Sequence, residues 1–468
     1  MGPCVNLVLI GLEVAWAVGI TAYLVLQRRS PVATLAWALV LSLLPLVGLP
    51  LYLLVGPRRV QRRRLRYSRS RERVLDEAPA RAVLTPDAAL SGPAQVAVSL
   101  GEPPPLRAEV RLLETGGVCF QALVDAIGAA QHHVHLEYFI FREGQVATAL
   151  RQALVAACQR GVVVRLLVDA IGSLSLSDAF LAPLVAAGGQ VARFNAVRFG
   201  ALRPWYVNFR THRKIVVVDG RVGFTGGMNV DDVHDERVVG DAAWRDLHLE
   251  LRGDAVAALQ LLFLEDWCFS TGTLPAIEGL LPPRGGQGAG VVQVVASGPD
   301  HPWFAIYKQW MEAIASARRR VWLCTPYFVP DEAMLQVLVA RALAGVQVRV
   351  LVPGRGDHAL VDAAARSYLP ALLEAGAEVR RYGPSMLHAK VLLVDDTFAS
   401  VGTFNFDNRS FRLNFEVTAT LLDEASVQRV SERLGRDFAS ASPVDTIASP
   451  PLSGRLAEGL ARLFAPLL

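Results

Sequence analysis

The stretch His212-Arg213-Lys214-Ile215-Val216-Val217-Val218-Asp219, followed by Gly226-Gly227-Met228-Asn229, returns later in the chain. The second copy reads His388-Ala389-Lys390-Val391-Leu392-Leu393-Val394-Asp395, followed by Gly402-Thr403-Phe404-Asn405. The interval from the aspartate to the glycine is the same in both. Each aliphatic run reads as a buried strand. Residues two apart on a strand face the same side, so each His projects together with its Lys. The glycines admit a tight turn that carries Asn229 and Asn405 back towards that side.

A lone His-x-Lys is usually an accident of composition; two complete copies with the same sequel are not. Exchange at a phosphodiester needs a nucleophile, a proton donor for the leaving alkoxide, and cations on the non-bridging oxygens. Two histidines and two lysines supply all of these, so neither a metal nor another cofactor is called for.

Working outward, the copies sit inside a longer repeat. A helical run near Phe120–Ala130 leads to a strand at His133–Phe139, a further helix, a strand at Val162–Asp169 and another ending at Phe194. The second half follows the same order: a helix at Tyr307–Ala317, then strands at Val321–Phe328 and Val346–Val352 and one ending at Tyr382. Strands alternating with helices indicate an α/β fold. A period this long means two fused similar domains, not a solenoid. The expected organisation is a membrane anchor over 1–56, a basic then Pro/Ala-rich linker over 57–105, domains over 106–285 and 286–445, and an amphipathic tail over 446–468. The site is expected at the interface of the two domains.

Composition adds the setting. The chain has 468 residues, 52% of them hydrophobic and 19% charged, which is apolar for a soluble enzyme. Val5–Leu26 carries one charge, Glu13, and a second apolar run extends over Val32–Val55. Each is long enough to cross a hydrocarbon core of about 30 Å, which predicts a transmembrane helical hairpin. Between Pro57 and Val74 stand nine arginines and one acid, so a local charge of +8 sits beside a body of −4. That belt places the large body on the cytoplasmic side and suits a lipid surface better than a nucleic-acid groove. Five scattered cysteines form neither a disulfide framework nor a zinc pattern. The tail from Ser453 has leucines at helical spacing between Arg455 and Arg462, and either lies on a membrane or packs on the body.

The paired His-Lys-Asp motifs resemble those of the phospholipase D superfamily. The resemblance implies a covalent phosphohistidine on His212, with His388 as acid and base. It further implies that Lys214, Lys390, Asn229 and Asn405 hold phosphate oxygens, and that Asp219 and Asp395 orient the motif. An acid downstream would fix each histidine tautomer: Glu416 in the second half, Glu250 in the first. The stretches Arg29–Trp37, Gly48–Gly56, Thr325–Pro330 and Asp407–Asn414 are similar to bacterial cardiolipin synthases of the phospholipase D type. That likeness implies transfer of a phosphatidyl group between two phosphatidylglycerol molecules, in the bacterial inner membrane, with no obligate protein partner and no nucleic acid. The motifs alone leave open a hydrolytic phospholipase D or another acceptor, such as phosphatidylethanolamine or an alcohol. A nuclease and a non-catalytic scaffold fit less well.

Overall fold

The alternating strand and helix signals become, in the computed structural model of the chain, one 15-stranded mixed sheet with helices packed on it. The structure describes residues 3–27, 31–46, 48–49, 52, 58–77, 90–196, 209–282, 285, 288–301, 303–444 and 451–465, without the side chains of 3–10, 32–33 and 58–66. Two compact units emerge: Met1–Leu65 with Arg198–Val207, and Arg66–Val197 with Asn208–Leu468.

In the second unit the first repeat supplies β1 (Leu106–Leu113), β2 (His133–Tyr138), β3 (Val163–Asp169), β4 (Gln190–Phe194), β5 (Lys214–Val218), β6 (Val222–Gly226) and β7 (His248–Gly253). The second supplies β8 (Gly290–Ser297), β9 (Arg320–Cys324), β10 (Phe328–Val329), β11 (Gln347–Pro353), β12 (Glu378–Tyr382), β13 (Val391–Val394), β14 (Phe398–Gly402), β15 (Phe406–Asp407), β16 (Glu416–Leu421) and β17 (Ala441–Pro443). From a central seam the first repeat runs β1-β7-β6-β5-β2-β3-β4, and the second runs β8-β16-β14-β13-β9-β11-β12, with β17 added at its edge. At the seam β1 and β8 pair antiparallel, Leu106 opposite Val292. Strands β10 and β15 form a separate parallel ribbon.

The repeat is therefore present, but its halves are not separate globules. One apolar cluster crosses the seam, joining Leu106, Ile215 and Leu251 of the first repeat to Val294, Val391 and Val417 of the second. Strands β5 and β13 are buried along their whole length, which explains their unbroken Val and Leu runs.

The stretch read as a linker contains two helices, Arg58–Glu77 and Gly92–Ser99. Tyr67, Ser70 and Val74 of the first are buried, as are Ala94 and Ala97 of the second. Spacings of three and four put Tyr67, Ser70 and Val74 on one helical face, a periodicity masked by the surrounding arginines. The tail forms a helix over Leu452–Leu463 that buries Ala461 and pairs Glu458 with Arg366 at 3.1 Å, leaving Leu452, Leu456, Leu460 and Leu463 exposed.

In the first unit, helices Pro3–Val25 and Pro31–Leu43 form a hairpin. Trp16 Nε1 donates to the Leu41 carbonyl at 2.9 Å, and Leu24, Leu41 and Tyr52 form a small buried cluster. The expected spans Val5–Leu26 and Val32–Val55 lie partly outside the described residues. Among the described residues no helix is long and apolar enough to cross a membrane.

Candidate active site

The backbone creates the site by crossing between repeats. The extended segment entering β5 pairs with the other half: Thr211 bridges Phe415, and the His212 N–H donates to the Phe415 carbonyl at 2.8 Å. The segment entering β13 does the same in reverse. Arg245 bridges Leu387, and the His388 N–H donates to the Arg245 carbonyl at 2.8 Å.

Each crossing delivers an acid to the opposite histidine. The Glu416 carboxylate meets His212 Nδ1 at 2.9 and 3.1 Å. The Asp246 carboxylate meets His388 Nδ1 at 2.6 Å. Both acids are further fixed: Glu416 accepts from Thr403 Oγ1 at 2.5 Å and from Asn414 Nδ2 at 3.2 Å, while Asp246 accepts the Leu247 N–H at 2.7 Å. With Nδ1 engaged, Nε2 of each imidazole is the atom left for chemistry.

Glu250, expected to serve the first repeat, does not reach a histidine. It lies four residues beyond Asp246, about 13 Å along an extended chain, and binds Arg111 at 3.2 Å and Arg252 at 2.6 Å. The register identifies the equivalent acid. Gly226 stands opposite His248 and Gly402 opposite Thr418, and the acid precedes each partner by two residues. An insertion around Val233–Ala243, which the second repeat lacks, hides this equivalence when residues are counted along the chain. Its signal in the sequence was the Arg245-Asp246 pair directly before β7.

Asp219 and Asp395 occupy the opposite ends of β5 and β13, away from the histidines. Asp219 accepts the N–H groups of Gln131, His132 and His133 at 2.8–2.9 Å. Asp395 accepts those of Arg318, Arg319 and Arg320 at 2.8–3.0 Å. Both have positive φ, 53° and 50°. Each aspartate thereby ties down the loop entering the neighbouring strand. Asn229 and Asn405 are buried. The Asn229 side-chain oxygen accepts the Ile140 N–H at 3.3 Å, and that of Asn405 has no partner among the described residues.

The lysines set the electrostatics. Lys214 Nζ donates to the His212 carbonyl at 2.9 Å and Lys390 Nζ to that of His388. Both are buried, and among the described residues neither forms an ion pair with a carboxylate. Burial lowers Lys214 to about 7, with Lys390 contributing, and burial lowers Lys390 to about 8. His212 is pushed well below its usual value by burial and by both lysines. His388 falls to about 3 through burial and Lys390, against the opposing pull of Asp246. Burial would raise Asp246, but His388 and Lys390 outweigh it and hold the carboxylate ionised. Glu416 rises to about 7, because burial outweighs its hydrogen bonds and Lys214. Two buried lysines, both lowered by burial and one further lowered by the other, form a site for an anion.

Aromatic rings stand beside each histidine: Phe139 edge-on to His212 at 5.0 Å between centroids, and Trp244 5.3 Å from His388. His234 lies within the insertion and Trp244 directly follows it. His234 is buried beside Asp246, and His234, Asp246 and His388 offer donor atoms within 4.8 Å of one another. The 2.6 Å bond between Asp246 and His388 is shorter than the ~3.3 Å between two ligands of one tetrahedral zinc ion.

Residues 123–234 and 310–438 match the family described as "Cardiolipin synthase, PLD-like domain", and residues 14–57 match "Phospholipase_D-nuclease N-terminal". A cardiolipin synthase from Geobacillus thermodenitrificans is 41% identical over 95% of this chain and 90% of its own length. The chain belongs to the cardiolipin synthase family of the phospholipase D superfamily. Cardiolipin synthase 2 from Bacillus anthracis, 38% identical over 95% of this chain and 88% of its own, is another relative. A crystal structure of phosphatidylserine synthase from Haemophilus influenzae shares the fold, with a TM-score of 0.63, 13% identity, and coverage of 81% of this chain and 100% of that one. Each of the two matched segments of the cardiolipin synthase family holds one of the His-x-Lys motifs.

Proposed function

We propose that the chain is a cardiolipin synthase that transfers a phosphatidyl group from one phosphatidylglycerol to another through a phosphohistidine, releasing glycerol. The observation that carries this reading is the pair of buried lysine ammoniums, without carboxylate ion pairs among the described residues, set between two histidines whose Nδ1 atoms are held by acids.

The diester anion lies between Lys214 and Lys390, with Asn229 and Asn405 at its edge, and its charge relieves the mutual repulsion that depresses the site's bases. His212 Nε2 attacks phosphorus. As the N–P bond forms, the bond to the glycerol oxygen breaks, and that oxygen takes a proton from His388. A glycerol hydroxyl of the second phosphatidylglycerol then gives its proton to His388 and attacks phosphorus, releasing His212. We assign His388 the proton-transfer role because ionised Asp246 stabilises an imidazolium best. One phosphodiester replaces another, so no nucleotide is consumed.

The apolar runs at Val5–Leu26 and Val32–Val55 and the arginine belt support insertion in the bacterial inner membrane as a hairpin, with the body on the cytoplasmic side. The match of residues 14–57 to a phospholipase D N-terminal family supports the same reading.

The test is to supply phosphatidylglycerol alone to the full chain in liposomes and resolve the products. Cardiolipin with an equal amount of glycerol is expected. Phosphatidic acid without cardiolipin would replace the synthase reading by a hydrolytic one.

A further inference from the structure

The two crossed pairs are built alike, but they are braced differently. Beside Asp246, the Arg245 guanidinium is held by Asp437 of the Glu424–Ala439 helix at 2.8 and 2.9 Å, a support supplied by the other repeat. Beside Glu416 the support comes from the stretch that sequence reads as a linker. Tyr67, on the Arg58–Glu77 helix, lays its ring on Phe415 with centroids 4.8 Å apart, and packs against Phe269 at 5.3 Å. Phe415 is the residue whose carbonyl receives the His212 N–H.

The Tyr67 hydroxyl closes a buried ring of hydrogen bonds. It donates to Asp266 at 2.8 Å and accepts from Arg213 Nη1 at 2.7 Å, while the same Arg213 nitrogen donates to Asp266 at 2.5 Å. Arg213 stands between His212 and Lys214, so alternation turns it to the face opposite the reacting groups. From there its Nε–H donates to the Glu416 carbonyl at 3.2 Å. Tyr67, Arg213 and Asp266 are all almost fully buried. A second contact fastens the same helix: Arg71 donates to the Gly101 carbonyl at 2.7 Å and pairs with Glu102 at 3.3 Å. The second repeat has Ala389 where the first has Arg213, so it cannot form such a ring.

We propose that Tyr67 is a positioning residue for His212. Through Phe415 and Arg213 it fixes the backbone on both sides of Glu416, and so fixes the carboxylate that orients the imidazole. The helix that follows the N-terminal apolar segments is thereby a working part of one half of the site and not of the other. A buried charge cluster of this kind tolerates displacement poorly, because moving one member strands the rest without partners.

The inference rests on the phosphohistidine reading, and its test separates the two. Consumption of phosphatidylglycerol by the full chain in liposomes is measured for wild type, Tyr67→Phe, Arg213→Lys, Glu416→Gln and Asp246→Asn, with melting temperature alongside. Tyr67→Phe keeps the ring stack and removes only the hydroxyl. It should lower kcat about ten-fold with KM unchanged, the size of effect expected when a hydrogen bond to a charged group is lost. Arg213→Lys keeps the charge opposite Asp266 but loses the fork that reaches the Glu416 carbonyl, and should lower kcat at least as much. Combining Tyr67→Phe with Glu416→Gln should cost nothing further, because both act through one group, whereas combining it with Asp246→Asn should multiply the two losses. Wild-type kcat in Tyr67→Phe, or equal multiplication in both backgrounds, would overturn the proposal. Should Tyr67→Phe fold poorly, a wild-type kcat in well-folded Arg213→Lys overturns it equally. A wild type that consumes no phosphatidylglycerol refutes the proposed function instead.

Discussion

Glu416 Oε2 stands 2.9 Å from His212 Nδ1 although 204 residues separate them, and Asp246 repeats the relationship with His388 across 142 residues at 2.6 Å. Neither histidine is oriented by its own repeat. Removing either carboxylate charge should therefore impair catalysis while binding survives. Glu416→Gln and Asp246→Asn are each expected to lower kcat about 10²–10³-fold with small change in KM. Glu250→Gln should stay within about three-fold, since it alters only partly exposed arginine pairs. Steady-state kinetics on phosphatidylglycerol liposomes decides this.

Gly227 is the position at which the first repeat has no room. A Cβ there would come within 2.0 Å of Asp246 Oδ1, where the second repeat accommodates Thr403 against the longer Glu416. Gly227→Ala should displace Asp246 from His388, lowering kcat by about ten-fold or more and destabilising the fold by ~1–3 kcal/mol. Thr403→Ala, which fills no new space, should be milder. Activity and melting temperature of the two variants provide the comparison.

The lysines predict opposite pH trends for stability and for anion binding. Unfolded lysine titrates near ~10.4, whereas Lys214 and Lys390 in the fold titrate at about 7 and 8. Between these values the unfolded chain binds more protons, so the lysine contribution to stability rises with pH across that window. A diester anion prefers the protonated lysines, so its stabilising effect should fall as pH rises from neutral. Melting curves with and without glycerophosphoglycerol, whose charge is constant over this range, test both signs together. A stabilisation by the diester that grows with pH would contradict the assignment.

Asp219→Asn and Asp395→Asn should behave as stability variants. Each keeps a side chain suited to positive φ but weakens three hydrogen bonds from backbone N–H groups. A loss of about 1–3 kcal/mol is expected, with kcat of the folded fraction within a few-fold of wild type. The native values of both carboxylates are lowered: burial would raise them, but the backbone N–H groups outweigh it. Their contribution is thus complete above the unfolded carboxylate range and lost as pH falls through the native one. In the asparagine variants, the acid-induced drop in melting temperature should be shallower.

Much of this site is legible in the sequence. The His-x-Lys spacing, the buried strands and the two-fold repeat all follow from local periodicity, and the helices and strands of both repeats lie close to where that periodicity puts them. Two things were not legible. Asp246 was obscured because cross-strand register, not distance along the chain, determines which acid meets a histidine. Tyr67 was obscured because nine neighbouring arginines made its segment read as solvated, although three buried residues at helical spacing were enough to dock it. Local pattern reveals what a strand or helix is; it does not reveal which distant chain lies beside it.

The crossed acids also bear on ancestry. A chain carrying one repeat would own a histidine, a lysine and an acid, yet could complete neither pair alone. Such a chain would need a twin molecule, each lending its acid to the other. With both copies in one polypeptide, that exchange is independent of concentration. Fusion also freed the two sides to diverge, which Arg213 against Ala389 and Asp246 against Glu416 still record.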